Sequence, residues 1–263
     1  MTGCDHIAIH DRDDGILCRI ETIINFLTEP LDSTIFTELD IENDGFDPTQ
    51  DAIVSVVDAN MVTPGQLTIT SQDATWQNEA DDGVFLGLKV YGDFIAEMTV
   101  TSMDALAGHS VGLMVRVPAE NNLDAAGPGQ DYVTLGVSGG ITQIEWSSTD
   151  NAVTTGAIEN PGASIALSEP NGTEEMEIHF RIQRNGSVLR NGSVLRNGSV
   201  LRAYYRIGLE STWTELEGSP LDRPDINTLE LEVGIYQTSE AQATAVVDDF
   251  SVRSDRIFHS SFE

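Results

Sequence analysis

From residue 52 onward, apolar residues fall at alternate positions in one short run after another. These are AIVSVV (52–57), QLTIT (66–70), VFLGLKVY (84–91), FIAEMTVTSM (94–103), SVGLMVRV (110–117), YVTLGVS (132–138) and ITQIEW (141–146). SIAL (164–167), MEIHFRIQ (176–183), RAYYRIGL (202–209), TLELEVGIY (228–236) and TAVVDDFSV (244–252) continue the series. Successive strand residues point to opposite faces, so a period of two marks strands with one covered face. Turn formers separate the runs, among them Pro64-Gly65, Gly139-Gly140 and Asn171-Gly172. A parallel α/β fold would need crossover helices, and this region has no helical period to supply them. The pattern predicts an all-β chain folded as an antiparallel two-sheet jelly-roll sandwich.

One of these runs leads into RNGSVLRNGSVLRNGSVLR, the same hexad written three times between Arg184 and Arg202. The flanking segments alternate, with Ile178, Phe180 and Ile182 on one side and Leu201, Ala203 and Tyr205 on the other. Asn-Gly is a strong signal for a two-residue hairpin turn, because both positions take positive φ readily. A turn at the middle pair, Asn191-Gly192, predicts Ile182 opposite Leu201, Phe180 opposite Ala203 and Ile178 opposite Tyr205. Two added hexads lengthen each arm by an even number of residues, so the faces are kept. The repeat therefore reads as an extension of a hairpin tip, protruding over 184–202. A hexapeptide β-helix would need many more coils.

Charge narrows the partners. The 263 residues include 43 acidic and 13 basic side chains, for a formal net charge of −30. Only Lys89 is a lysine, which leaves twelve arginines. Nucleic acid and anionic membrane surfaces carry the same sign and are excluded as expected partners. No apolar run is long enough for a membrane-spanning helix. Acidity of this kind suits an exported protein, a salty medium or cation binding. The opening residues lack the basic start and apolar centre of a signal peptide. Cys4 and Cys18 are either a disulfide closing a small loop or two thiols.

The chain before residue 31 is different. GILCRIETIINFL (15–27) spaces Ile16, Leu17, Ile20, Ile23, Ile24 and Leu27 at helical intervals. The expected organisation is an N-terminal appendage over 1–30, partly helical or disordered, then a sandwich over 31–254 and a tail over 255–263.

The order of motifs resembles a known family. DATWQNEADDGVFLGLKVYGDFIAEMTV (73–100) is similar to the entry of a concanavalin A-like lectin/glucanase sandwich. Closest is the accessory domain at the C-terminus of some β-xylosidases and in many bacterial surface proteins. VGLMVRV (111–117), DYVTLGVSGG (131–140), HFRIQRNG, AYYRIGLESTWTEL, VGIYQTS (233–239) and VVDDFSV (246–252) keep the family order. The resemblance implies a jelly roll used for glycan binding, for adhesion or beside a catalytic domain, secreted or at the cell surface. Fold likeness alone implies no activity.

For chemistry, the residues offer little beyond binding. Glycoside hydrolysis needs two facing carboxylates, and catalytic members of the superfamily carry a Glu-x-Asp-x-Glu-like strand that is absent here. Glu175 and Glu177 are expected to face solvent. A non-enzyme is therefore the expectation, with a carbohydrate or surface polymer as partner. Trp76, Arg116, Tyr204 and Arg206 are the candidate ligand contacts, the last three expected together on one exposed sheet face. DIENDGFDPTQD (40–51) partly follows an EF-hand loop and offers Asp40 and Asp44 to Ca²⁺. The resemblance adds Asp248 as a structural Ca²⁺ ligand, expected to point inward because it alternates with Phe250 and Val252. Five scattered histidines lack zinc-ligand spacing.

Overall fold

In a computed structural model of the chain, the residues described are 20–24, 38–41, 54–59, 65–71, 76–77, 80–81, 84–117, 131–138, 143–150, 153–155, 165–166, 177–185, 188–190, 193–196, 198–208, 212–216, 218–223, 226 and 230–257. Among them there is no α-helix, and none long and apolar enough to cross a membrane. The strands begin with β1 (Ile20–Ile24), β2 (Glu38–Ile41), β3 (Val54–Ala59), β4 (Leu67–Ser71), β5 (Trp76–Gln77) and β6 (Ala80–Asp81). Next come β7 (Val84–Met103), β8 (Ser110–Arg116), β9 (Tyr132–Ser138), β10 (Gln143–Asp150), β11 (Val153–Thr155) and β12 (Ile165–Ala166). The repeat region supplies β13 (Ile178–Asn185), β14 (Val188–Arg190), β15 (Ser193–Arg196) and β16 (Val200–Ile207). The last are β17 (Thr214–Glu215), β18 (Leu221–Asp222), β19 (Glu230–Thr238) and β20 (Ala243–Ile257).

The fold is the expected antiparallel all-β sandwich. Its organising element is β7, one strand of 20 residues where the sequence predicts two. Gly92 sits in it at a φ of 74°, a backbone that L side chains resist, so the strand changes direction there. The first half of β7 pairs with β19 and β2; the second half pairs with β13 and β20. A first sheet thus runs β10-β9-β8-β19-β7, and a second runs β16-β13-β7-β20-β4-β3.

Both sheets send alternate side chains into one core. Leu113, Val115, Leu135, Trp146 and Ile235 come from the first sheet, Met98, Phe180, Ile182, Ala203 and Phe250 from the second. Each large apolar side chain removed from water contributes about 1.5–3 kcal/mol. A buried polar link also joins the sheets, since Gln237 Nε2 donates to Ser71 Oγ at 2.9 Å and to the Ala243 carbonyl at 3.2 Å. The outer face of the first sheet is closed as well. Phe85, Met114, Tyr132 and Tyr236 form a second buried cluster there, beside Gly112 and Gly136. A Cβ on Gly112 would lie 2.1 Å from the Leu135 carbonyl oxygen, so only glycine permits this strand approach.

The N-terminal segment corrects one expectation. Ile20–Ile24, inside the expected helix, is the strand β1, paired with β20 from Ile20 opposite Ser254 to Ile24 opposite Phe250. Four of its five residues are β-branched, which favours extended backbone, and β20 offers the edge to pair with.

The hairpin fulfils one expectation and corrects another. Arg190 pairs with Ser193, which leaves Asn191 and Gly192 as the two residues between β14 and β15. At the base, however, Ile182 faces Ala203, Phe180 faces Tyr205 and Ile178 faces Ile207, two residues from the expected register. The difference accumulates in the second arm. One extra residue enters at the bulge beside Val188 and Leu189, and another between the pairs Val188–Arg196 and Asn185–Val200. Two single steps restore parity, so the apolar faces still meet.

Candidate functional site

The outer face of the second sheet is polar and open. In β13, Ile178, Phe180 and Ile182 are buried, so His179, Arg181 and Gln183 face away from the core. In β16, Leu201 and Ala203 are buried, which puts Arg202, Tyr204 and Arg206 on that same outer face. β7 adds Glu97 and Thr99. Register aligns Arg206, His179, Thr99 and Asp248 in one row across β16, β13, β7 and β20. The next row holds Tyr204, Arg181, Glu97 and Ser251.

Trp213, partly exposed just before β17, lies over this face. The guanidinium carbons of Arg181 and Arg206 are 4.1 Å and 4.9 Å from its ring centre. Arg181 is neutralised, since Glu97 Oε1 accepts from its Nη2 at 2.5 Å and its Nε at 2.7 Å. Arg253 Nη2 reaches the same oxygen at 2.9 Å. Arg202 pairs with Glu215 at 2.7 Å. Arg206 has no ion-pair partner among the described residues; besides Trp213 it meets only His179 Nδ1, at 3.5 Å.

His179 Nδ1 also lies 2.8 Å from Thr99 Oγ1. Arginine can only donate, so Nδ1 faces Arg206 as an acceptor, and its single lone pair lies closer to the Thr99 hydroxyl. Burial, and then the Arg206 charge, hold the His179 pKa below its ordinary value. Asp249 is exposed at the edge of the same group. Partial desolvation and the neighbouring Asp248 push its carboxyl up, while His179 and Arg206 oppose that shift.

Asp248 is where the alternation argument fails. Val247 and Phe250 are both buried, with the partly exposed Asp248 and exposed Asp249 between them. The β20–β7 register slips between Asp248 and Ser251, and Asp249 adopts a φ of 50°. Aspartate tolerates this left-handed backbone better than most residues, so a bulge here flips the parity and Asp248 does not point inward. Its oxygens accept from Gln66 Nε2 at 3.3 Å and from the Asp249 N–H at 2.8 Å. Among the described residues no three His, Cys, Asp or Glu side chains converge as metal ligands. Asp40 lies in β2, opposite Phe85 in register, and Asp44 is outside the described residues.

The candidate ligand contacts divide. Tyr204 and Arg206 share the outer face of the second sheet. Arg116 sits on the outer face of the first, buried over the Phe85 ring at 4.2 Å and bonded to Glu232 Oε2 at 2.6 Å. It does not line an exposed face with Tyr204 and Arg206, because β8 and β16 belong to different sheets. Trp76 falls in β5, paired with Asp81 of β6. Sequence reasoning takes Trp213 for a packing residue and gives His179 and Arg181 no role; Asp249, read as pointing outward, is exposed. The alternation of MEIHFRIQ already put His179 and Arg181 opposite the core; nothing local brought Trp213 onto them.

No family model matches this sequence, and no curated protein matches it. Among solved structures, a xylan β-1,4-xylosidase from Bacillus halodurans C-125 aligns with a TM-score of 0.53 at 13% identity, over 80% of this chain and 35% of that one. A functionally unknown protein from Saccharomyces cerevisiae aligns at 0.49 and 15% identity, over 72% of this chain and 87% of that one. The lectin UEA-II, complexed with galactose, aligns at 0.42 and 10% identity, over 72% and 87% of the two chains. At these identities the xylosidase likeness is one of fold, and this chain spans about a third of that enzyme.

Proposed function

We propose that this protein is a non-catalytic β-sandwich of the concanavalin A-like kind that binds carbohydrate, or a carbohydrate-bearing surface polymer, outside the cell. The observation that carries the reading is the outer face of the second sheet. There a partly exposed indole, Trp213, and a partly exposed phenol, Tyr204, lie among hydrogen-bonding side chains that project from a rigid sheet. Sugars present apolar C–H faces and polar rims, and such a surface can meet both. A fold neighbour named as a xylan β-1,4-xylosidase supports the reading by analogy.

Catalysis is the weaker alternative. Glu97, the central carboxylate of this face, is engaged by both Arg181 and Arg253 rather than free to reach a substrate. A structural or adhesive role without a sugar site is the other alternative. Structural Ca²⁺ at Asp40, Asp44 or Asp248 belongs to the same proposal; a chelator would then lower the melting temperature.

Affinity electrophoresis through gels containing plant, algal and bacterial polysaccharides tests the reading. Retention by at least one polymer, lost in Trp213→Ala, is the expected result. No retention by any polymer favours the adhesive role, and release of reducing sugar ends the non-catalytic one.

A further inference from the structure

Two opposite charges on the second sheet's outer face are left without partners. No ion pair among the described residues engages Arg206, and none engages the Asp249 carboxylate, although both lie close enough to His179 to act on its charge. The chain has only 13 basic residues among 43 acidic ones, so an unpaired arginine is not explained by any shortage of counter-charges. Arg206 is fixed all the same. Trp213 holds its guanidinium plane, and the Nδ1 atom of His179, itself held by Thr99, lies beside its Nη2. Asp249 is fixed by different means: the bulge at Asp248–Asp249 turns it out of the strand's alternation onto the exposed outer face, beside Asp248, which shares a row with Thr99, His179 and Arg206.

The occupant follows from the chemistry. A cation would meet the Arg206 charge and, among the described residues, finds no converging ligand set. A polyanion would meet Asp248, Asp249 and Glu177 beside that single free arginine. A neutral group carrying adjacent hydroxyls satisfies both sides at once, donating O–H to Asp249 and accepting N–H from Arg206. We propose that Asp249 and Arg206, with His179 as the positioning residue between them, read adjacent hydroxyls of a neutral sugar beside Trp213. The inference rests on the carbohydrate reading above and names the ligand class and the polar contacts.

The test uses the whole protein and four soluble probes: xylan, β-glucan, mannan and, as the charged polymer, polygalacturonate. Retention by a neutral probe and not by polygalacturonate is expected. Asp249→Gly, which suits the left-handed backbone, and Arg206→Gln should each weaken retention by about tenfold or more without lowering the melting temperature. His179→Gln should weaken it less and should flatten the loss of binding on acidification, which a purely structural role would not do. If both charge variants bind as the wild type does while Trp213→Ala does not, the polar assignment fails and the carbohydrate reading stands. Retention by polygalacturonate alone overturns the neutral-sugar assignment. Retention by none of the four overturns both.

Discussion

Arg116 donates its Nε to Glu232 Oε2 across 2.6 Å, and the two side chains keep only 7% and 2% of their surface exposed. The pair joins β8 to β19 on the outer face of the first sheet, where the two residues are also backbone partners. Both charges have left water, so removing one strands the other. Glu232→Ala should cost about 3–5 kcal/mol and lower the melting temperature by on the order of 10 °C. Replacing both with Met and Leu should restore most of that loss. Calorimetry on the single and double variants checks this. A single variant as stable as the wild type would make the pair dispensable.

The hairpin gives a second prediction. The base register sets Asn185 opposite Val200. Deleting residues 187–198 joins Gly186 to Ser199 and leaves a two-residue Gly-Ser loop between those partners, with glycine at the first loop position as a type II′ turn requires. The base therefore already has the register of a hairpin with one hexad. The shortened chain should fold with a stability change within about 1 kcal/mol. It should also keep Ser199 Oγ donating to Asp222. Chemical denaturation measures the change, and loss of cooperative unfolding would contradict it.

The bulge gives a third. Asp249 holds a φ of 50°, where glycine is free of strain. Asp249→Gly should leave stability equal or raise it by up to about 1 kcal/mol, whereas Asp249→Val should lower it. The opposite ranking in thermal melts would remove the strain from the account.

Acidification gives a fourth. Burial pushes the His109 pKa below 6.5, and burial together with Arg206 does the same for His179. Each folded histidine binds protons less readily than its unfolded counterpart. The resulting stability is complete above 6.5 and is lost as pH falls below it toward the depressed values. Urea midpoints should therefore fall between about pH 7.5 and about pH 5.5, and His109→Gln should flatten the slope. Sugar binding should weaken over the same range. Protonated His179 would turn Nδ1 into a donor facing Arg206 of β16 and Thr99 of β7, with Asp249 of β20, Glu177 and the Gly208 carbonyl as its remaining neighbours.

The alternation of apolar residues carried most of the sandwich, because strand faces repeat every two residues wherever the backbone is regular. What it could not carry lies where that regularity breaks. Gly92 bends β7 without ending it. Asp249 reverses the parity of β20 in one residue. Two extra residues in the second hairpin arm shift the base register and cancel in parity. Arg116 and Arg206 occupy much the same local pattern, each between apolar neighbours in a strand. Only the pairing of β8 with β19 and of β16 with β13 puts the first in a buried ion pair and the second on an open face. Ile20–Ile24 carries helical spacing and β-branched side chains together, and the free edge of β20 decided between them.

The most direct measurement is isothermal titration of a neutral polysaccharide that the wild type retains, into wild type and Trp213→Ala side by side. Trp213 is partly exposed and packs on arginines rather than in the core, so its loss should leave the fold cooperative. Saturable binding by the wild type, reduced by about tenfold or more in Trp213→Ala at unchanged melting temperature, is the predicted result. Equal affinity in the two proteins would contradict the account, because the sugar would then lie somewhere other than the outer face of the second sheet.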